Sequence, residues 1–156
     1  ATATLHPALS GFATFIISLP VLTAVSAVWQ FVLQLCGIPA EKQDLIDIFA
    51  NAKSPGLLAF MIVLATVIAP LTEELLFRAG LFRYMRTRLP RWAARVIPSC
   101  LFGALHGNLA SFAPLVALGI IFSLAYERTG RIATTMIAHG LFNLNTIALI
   151  LCGVTA

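Results

Sequence analysis

An uncharged apolar stretch near the beginning of the chain limits what the chain can fold into. Residues 11–38 contain no charged side chain, and they outnumber the roughly 20 residues that a helix needs to cross a bilayer. Inside hydrocarbon every backbone N–H and C=O must find a partner within the protein, and a helix provides these partners within one segment. Only 10% of all residues are charged, against about 25% in a soluble domain. The sequence therefore predicts an integral membrane protein.

Further apolar segments predict an all-α fold, a polytopic transmembrane helical bundle with about five membrane segments. The second segment is expected to tilt, protrude or kink at Pro70. The third and fourth are short and are expected to cross only part of the membrane, with "HGNLASFAP" as a turn inside the protein between them. Residues 1–156 are predicted to form a single domain. The predicted segments are residues 11–38, 55–84, 92–108, 113–127 and 132–151.

The charged residues predict an orientation. Seven of the ten Lys and Arg residues lie in two clusters, at residues 83–95 and 128–131, whereas the connector 41–53 holds three of the six acidic residues. By the positive-inside tendency the arginine clusters are expected in the cytoplasm and the connector, with an amphipathic segment, outside. In a bacterium this membrane would be the plasma membrane. The expected surroundings are the lipid bilayer and not nucleic acid, because the basic clusters adjoin apolar spans and lack interleaved stacking aromatics.

The stretch "TEELLFR" places three ionisable side chains inside the second apolar segment. A carboxylate near the centre of a membrane helix costs about 3 kcal/mol, and such residues usually face the bundle interior and function there. Glu74 and Arg78 stand four positions apart on one helix face, so they are expected to pair. Glu73 points about 100° away from Glu74 and is left free for another role.

Two histidines and an asparagine lie in the later segments. One helical turn separates His139 from Asn143, and His106 belongs to a different segment. Counted from the nearest basic cluster at about 1.5 Å per residue, Glu73, His106 and His139 lie at similar depths of about 12–16 Å. A lone histidine in an apolar helix is usually a packed core residue, but this combination predicts a single site.

Two kinds of chemistry fit such a set. A glutamate and a histidine can take a proton from water, and an asparagine and a histidine can donate hydrogen bonds to an oxyanion. No Ser, Cys or Thr occupies an equivalent position with a base one turn away, which favours direct attack by water over an acyl intermediate. Alternatively, Glu73, His106 and His139 could bind zinc, with the second carboxylate as base. No HExxH pair is present, so the spacing leaves both routes open.

At these residues the sequence resembles the CAAX-protease and bacteriocin-processing (CPBP, Abi) intramembrane endopeptidases, which include the type II prenyl-protein proteases. The resemblance rests on three motifs in order: "EELLFR" at 73–78, "FGALH" at 102–106 and "HGLFN" at 139–143. It covers about residues 56–150, the protease-like core. It implies a helical membrane fold with a site reached from the cytoplasmic side. Ala79 replaces a glycine that family members often carry.

The resemblance also implies a role for each polar residue. Glu73 and His106 would position and activate the water, and His139 and Asn143 would stabilise the oxyanion. Glu74 would pair with the arginine of its motif or orient a histidine. Family members have been described both as metalloproteases and as glutamate-dependent proteases; no cofactor is expected here, because the asparagine suits an oxyanion role, and zinc is the alternative. The implied substrate is a protein or peptide at the cytoplasmic membrane face, of which a prenylated tail is one case.

Two hypotheses from other classes use the same residues. A non-catalytic membrane immunity or scaffold protein would use the Glu–Arg pair and the histidines only to hold its helices together. A transporter or proton relay also needs acidic groups inside the membrane. The transporter hypothesis is disfavoured because the sequence shows no pair of broken helices and no inverted repeat.

Overall fold

The structure, a computed structural model, describes residues 6–39, 48–49 and 54–154. Five helices account for nearly all of these residues, and no strand occurs within these ranges. The predicted all-α class is confirmed. The helices are α1 (Pro7–Leu35), α2 (Pro55–Arg86), α3 (Arg91–Leu105), α4 (Leu109–Thr129) and α5 (Ile132–Leu151).

Four of these helices, all except α3, are long and apolar enough to cross a membrane, and the chain is an integral membrane protein. Helix α3 has 15 residues, so the third predicted segment is indeed short. The prediction of a short fourth segment at 113–127 is wrong, because α4 extends over 21 residues. It begins earlier because the Asn108 side chain accepts a hydrogen bond from the Ser111 N–H (2.9 Å), as an N-cap residue does.

The predicted interior turn between the third and fourth segments is also wrong. Only residues 106–108 lie outside the helices there, and they are exposed or half-buried. The polar residues of "HGNLASFAP" that suggested a longer turn are a cap and the first turn of α4. Most of the connector 41–53, with its predicted amphipathic segment, lies outside the described residues. Phe49, which is described, is buried against Ile147 and Ile150 of α5.

Helix α1 begins four residues before the predicted boundary of 11. Pro7 occupies the first helical position, where its missing N–H costs nothing, and the His6 side chain accepts a hydrogen bond from the Ala8 N–H (3.3 Å). Helix α2 begins at the predicted residue, Pro55, after the N-cap Ser54. The apolar pattern therefore located these helices, and capping chemistry set where they begin.

Helix α2 is irregular on both sides of its glutamate pair. The backbone is π-helical over Leu64–Ile68 and Leu75–Phe82, with an α-helical turn, Ala69–Glu74, between them. Single π-helical turns often accompany functional sites. A kink at Pro70 was one of three alternatives expected for this helix; what the structure has near Pro70 is a change of hydrogen-bond register. Helix α2 has 32 residues, which correspond to a length of about 48 Å, more than the roughly 30 Å thickness of the hydrocarbon layer.

The helices define two ends of the bundle. The arginine end contains the α2–α3 and α4–α5 loops and the start of α1, where the Ser10 and Thr134 hydroxyls lie 3.0 Å apart. The connector end contains the end of α1, the start of α2, the α3–α4 turn and the end of α5. There the Trp29 Nε1–H donates to the Leu109 carbonyl (2.7 Å). The candidate site lies between these ends.

At the arginine end, one carboxylate joins three helices. Glu127 of α4 accepts hydrogen bonds from Arg86 of α2 and from Arg95 of α3, whose Nε lies 3.0 Å from Oε2. Closer to the centre, Gly119 of α4 lies against Ser99 of α3, so near that a Cβ at position 119 would come within 2.8 Å of the serine side chain. These contacts hold α2, α3 and α4 together around the charged residues of α2.

Candidate active site

Glu74 and Arg78 form the predicted ion pair. Arg78 Nη1 lies 3.0 Å from Glu74 Oε1, and both side chains are almost completely buried. The guanidinium also donates from Nη2 to the Gly119 carbonyl (3.4 Å). It lies over the rings of Phe102 and Phe122, 4.8 and 5.3 Å from their centroids, within the range of cation–π attraction. These contacts stabilise the guanidinium, whereas Glu74 Oε2 and Arg78 Nη1 are buried without a hydrogen-bond partner among the described residues.

Glu74 also holds His139. Its Oε1 lies 3.0 Å from His139 Nδ1 as well as from the arginine. An ionised carboxylate carries no hydrogen and can only accept, so His139 Nδ1 is the donor of the hydrogen bond to Glu74. The rings of Phe102 and Phe122 pack against the imidazole at 5.8 and 5.3 Å. The ring orientation is therefore fixed, and Nε2 is the nitrogen left for chemistry.

Glu73 faces the free nitrogen of His139. Its Oε2 lies 3.7 Å from His139 Nε2, beyond direct hydrogen-bond distance. The Glu73 side chain is 30% exposed, whereas that of Glu74 is 0% exposed. Glu73 Oε2 has no hydrogen-bond partner among the described residues. One carboxylate of the pair is thus committed to structure, and its neighbour opens onto a space beside the histidine.

His106 does not lie within a helix, as the segment 92–108 predicted, but directly after the last residue of α3, and it is exposed. Its Nδ1 lies 2.8 Å from the Phe102 carbonyl oxygen. A carbonyl only accepts, so Nδ1 donates and Nε2 is left as an acceptor in the neutral ring. The imidazole also packs against the Phe102 ring (4.8 Å).

Asn143 is held by α2. Its Nδ2 donates to the carbonyl of Ala65 (2.8 Å), and the side chain is half-buried. This contact uses one of the two N–H groups of the amide. The second N–H and the side-chain oxygen are left for other partners.

The structure brings four of the predicted site residues to one cavity of about 220 Å³. Glu73, His106, His139 and Asn143 all line it, whereas Glu74 and Arg78 lie behind it and support His139. The remaining lining residues are mostly apolar: Phe49, Ala65, Ala69, Leu115, Phe142, Thr146, Ile147 and Ile150. Convergent polar groups in a largely apolar cavity are typical of a ligand site.

The cavity lies on the connector side of the charged residues. Phe49 belongs to the connector, and Thr146 and Ile150 lie in the last two turns of α5. Phe77, which packs edge-on against Phe102 (5.3 Å), follows Glu73 by one turn toward the arginine end, and the ion pair there is buried. The resemblance implied cytoplasmic access, and the positive-inside tendency placed the arginine end in the cytoplasm. Because the cavity lies toward the connector end, access from the cytoplasm and a cytoplasmic arginine end cannot both be correct.

A zinc site was the alternative use of these donors. Across the described part of the chain, no group of three or more His, Cys, Asp and Glu side chains is arranged to hold a metal ion. Glu73, His106 and His139 nevertheless line one cavity.

Three supporting features were missed in the sequence. Phe122 and Phe102 enclose both Arg78 and His139, and the Ala65 carbonyl holds Asn143. Phe102 is part of the "FGALH" motif, but an aromatic residue in an apolar helix has no distinguishing signal. A carbonyl group has none at all, because its availability depends on the local helix register.

Comparison with known proteins adds two findings. Residues 55–145 match the family model described as "Type II CAAX prenyl endopeptidase Rce1-like". Among curated proteins, the chain is 31% identical over 83 residues to "Putative membrane peptidase YdiL" of Bacillus subtilis (strain 168) and 33% identical over 86 residues to "UPF0177 protein YbdI" of Lactococcus lactis. These alignments cover 53% and 54% of this chain. No solved structure matched the chain.

A third relative, a 24.3 kDa protein of Escherichia coli, is 32% identical over 122 residues, or 74% of this chain. The aligned regions span 34%, 46% and 55% of the three relatives' own lengths. The family match includes α2 to α4 and the part of α5 that carries His139 and Asn143. The chain belongs to the Rce1-like family of type II CAAX prenyl endopeptidases.

Proposed function

We propose that this protein is an intramembrane endopeptidase that hydrolyses a peptide bond of a membrane-associated protein or peptide, using a water molecule activated by Glu73 and His106. The observation that carries the proposal is the meeting of Glu73, His106, His139 and Asn143 at one cavity, with His139 fixed from behind by a buried Glu–Arg pair. Family membership supports the same reaction class.

Glu73 is the proposed general base. Its side chain lines the cavity and is 30% exposed, and its buried Oε2 has no hydrogen-bond partner among the described residues, so the carboxylate can take a proton as water attacks the carbonyl carbon. His106 Nε2 can accept the second hydrogen of that water, because Nδ1 already donates to the Phe102 carbonyl. Two acceptors on one water orient its lone pair toward the substrate. The protonated Glu73 then returns its proton to the leaving nitrogen.

His139 and Asn143 are the proposed oxyanion partners. Asn143 has one N–H left after its bond to Ala65. His139 Nδ1 donates to Glu74, so His139 can donate to an oxyanion only from a protonated Nε2. With that proton in place, the charges of Glu73, Glu74, Arg78 and His139 sum to zero. Such a balanced cluster is the electrostatic setting expected for an oxyanion site in a low-dielectric environment.

The test is cleavage by purified protein in proteoliposomes containing membrane-tethered peptides, either prenylated or acylated, with mass spectrometry to locate the cut. Glu73→Gln and His106→Ala are expected to lower kcat by about 100-fold or more, the scale of general acid–base contributions. His6→Ala is the matched control, because His6 is exposed and only caps α1. It should retain full activity.

Failure of the wild type to cleave any tethered peptide, or full activity in Glu73→Gln, would overturn the proposal and favour a non-catalytic immunity or scaffold role. Zinc analysis of the purified protein and the effect of a chelator test the alternative route. Stoichiometric zinc together with loss of activity on chelation would replace the metal-free mechanism. The prenylated and acylated peptides separately test whether a prenylated tail is required.

A further inference from the structure

Pro70 creates a gap in the hydrogen bonding of α2. In a regular α-helix the Ala65 carbonyl would accept from the N–H of residue 69. In α2 the Ala69 N–H bonds instead to the Leu64 carbonyl, five residues back. The next residue, Pro70, has no N–H. The Ala65 carbonyl therefore has neither an α-helical nor a π-helical donor in its own helix.

Asn143 of α5 fills this gap. Its Nδ2 donates to the Ala65 carbonyl at 2.8 Å, in a part-buried contact, and a carbonyl shielded from water without a partner would be costly. One turn earlier, Gly140 lies so close to α2 that a Cβ at position 140 would be 2.6 Å from the Thr66 carbonyl oxygen. Residue 70 would also be the α-helical donor to Thr66. The region of α2 left without a donor by Pro70 is thus the region on which α5 docks.

We propose that Pro70 is a positioning residue for Asn143. By withholding an N–H, it leaves the Ala65 carbonyl for the Asn143 amide and so fixes the direction of the second N–H within the cavity. The catalytic part of this inference rests on the proposed function. The structural part, that Pro70 makes the Asn143–Ala65 bond necessary, stands on the geometry alone.

Pro70→Ala restores an N–H at position 70 that can serve the Ala65 or Thr66 carbonyl. Where the new N–H serves the Ala65 carbonyl, that carbonyl no longer depends on the Asn143 amide, and the amide can rotate. We expect kcat to fall by about tenfold or more with KM nearly unchanged, approaching the loss in Asn143→Ala, since losing one oxyanion donor costs about 100-fold or more. The variant that combines Pro70→Ala and Asn143→Ala should have a kcat no lower than that of Asn143→Ala alone.

Thermal unfolding in detergent tests the structural part without any substrate. Asn143→Ala leaves the Ala65 carbonyl unpaired when Pro70 is present but not when residue 70 supplies an N–H. The fall in Tm caused by Asn143→Ala should therefore be larger when residue 70 is proline than when it is alanine, by about 3 °C or more. Pro20→Ala is the matched control, because Pro20 is internal to α1 and exposed. Pro20→Ala should leave the fall in Tm caused by Asn143→Ala unchanged.

Equal Tm costs in the two Pro70 backgrounds would overturn the proposal. If the substitutions at positions 70 and 143 are non-additive in Tm but additive in their effect on kcat, the hydrogen-bond argument stands and the positioning role is overturned. A wild type that cleaves nothing would remove the proposed function and the catalytic part with it, while the Tm comparison would still decide the structural part. Loss of folded protein in Pro70→Ala would also contradict the proposal, since the substitution adds a donor and removes none.

Discussion

Glu73 and Glu74 are neighbours in sequence, but their side chains lie in different environments and have different roles. Glu74 is completely buried between Arg78 and His139, whereas Glu73 reaches the cavity with part of its surface exposed. A buried ion pair is costly to break, because removal of one partner leaves the other charge uncompensated. The two carboxylates can therefore be separated experimentally at the level of single residues.

Glu73→Gln and Glu74→Gln should fail in different ways. The first should abolish most cleavage while changing Tm by about 2 °C or less, because Glu73 Oε2 makes no hydrogen bond within the described residues that the substitution would break. The second should destabilise the protein by about 3–5 kcal/mol, since Arg78 loses its counter-charge. Activity and thermal unfolding of both variants provide the comparison. A stable Glu74→Gln with normal Tm would contradict the structural role.

Arg78→Lys tests whether charge alone is sufficient. Lysine keeps the positive charge but loses the planar group that lies over Phe102 and Phe122 and that reaches the Gly119 carbonyl. We expect a loss of stability of about 1–3 kcal/mol, the usual cost of an unmade buried hydrogen bond. Chemical or thermal unfolding measures it. Wild-type stability would show that the aromatic contacts contribute little.

At the scale of elements, the site depends on how closely α2 approaches α5. Helices in membranes pack most closely where a small residue lets backbones meet, and Gly140 meets the Thr66 carbonyl in this way. The two π-helical stretches of α2 lie on either side of the glutamates. The distance between Glu73 and His139 is therefore set by backbone contact one residue from the histidine.

Gly140→Ala should separate the two helices. The new Cβ would lie 2.6 Å from a backbone oxygen that cannot rotate away, so α2 must shift. We expect lower Tm and a loss of activity of about tenfold or more, since small misplacements of reacting groups are costly. Gly56→Ala is the matched control, because its Cβ would meet nothing closer than 4.0 Å. Equal Tm and activity in the two variants would contradict the packing argument.

At the scale of the whole molecule, the cavity and the arginine clusters occupy opposite ends. The apolar lining extends from the mid-bundle charges toward Phe49 and the last turns of α5, and Glu127 ties the arginine end together. Substrate is therefore expected to enter on the membrane side opposite to the arginine loops.

Thiol labelling tests this expectation. With Cys100 and Cys152 replaced, a membrane-impermeant reagent should modify Thr146→Cys from the same side as the exposed native Cys36 at the connector end. It should modify Arg88→Cys, exposed in the α2–α3 loop, only from the other side. Modification of Thr146→Cys together with Arg88→Cys from one side would contradict connector-end access. Modification at 146 should also block cleavage.

The apolar spans and the motifs predict most of this fold and the polar residues within it. Membrane helices are predictable because backbone polar groups have no partner in hydrocarbon other than their own segment. The Glu74–Arg78 pair was predictable because its partners are four residues apart on one helix. The true start of α4 and the position of His106 after α3 were not, because the polar residues 106–108 suit both a long turn and a helix cap.

The sequence by itself determined the all-helical membrane fold, the family and the residues that bear charge inside it, since these follow from local pattern and spacing. Only the tertiary structure decided that Glu74 supports His139, that Glu73 faces the cavity, that Asn143 bonds to Ala65 and that the cavity lies toward the connector end. Each of these depends on contacts between helices, or on helix register, which residue spacing within one helix does not specify.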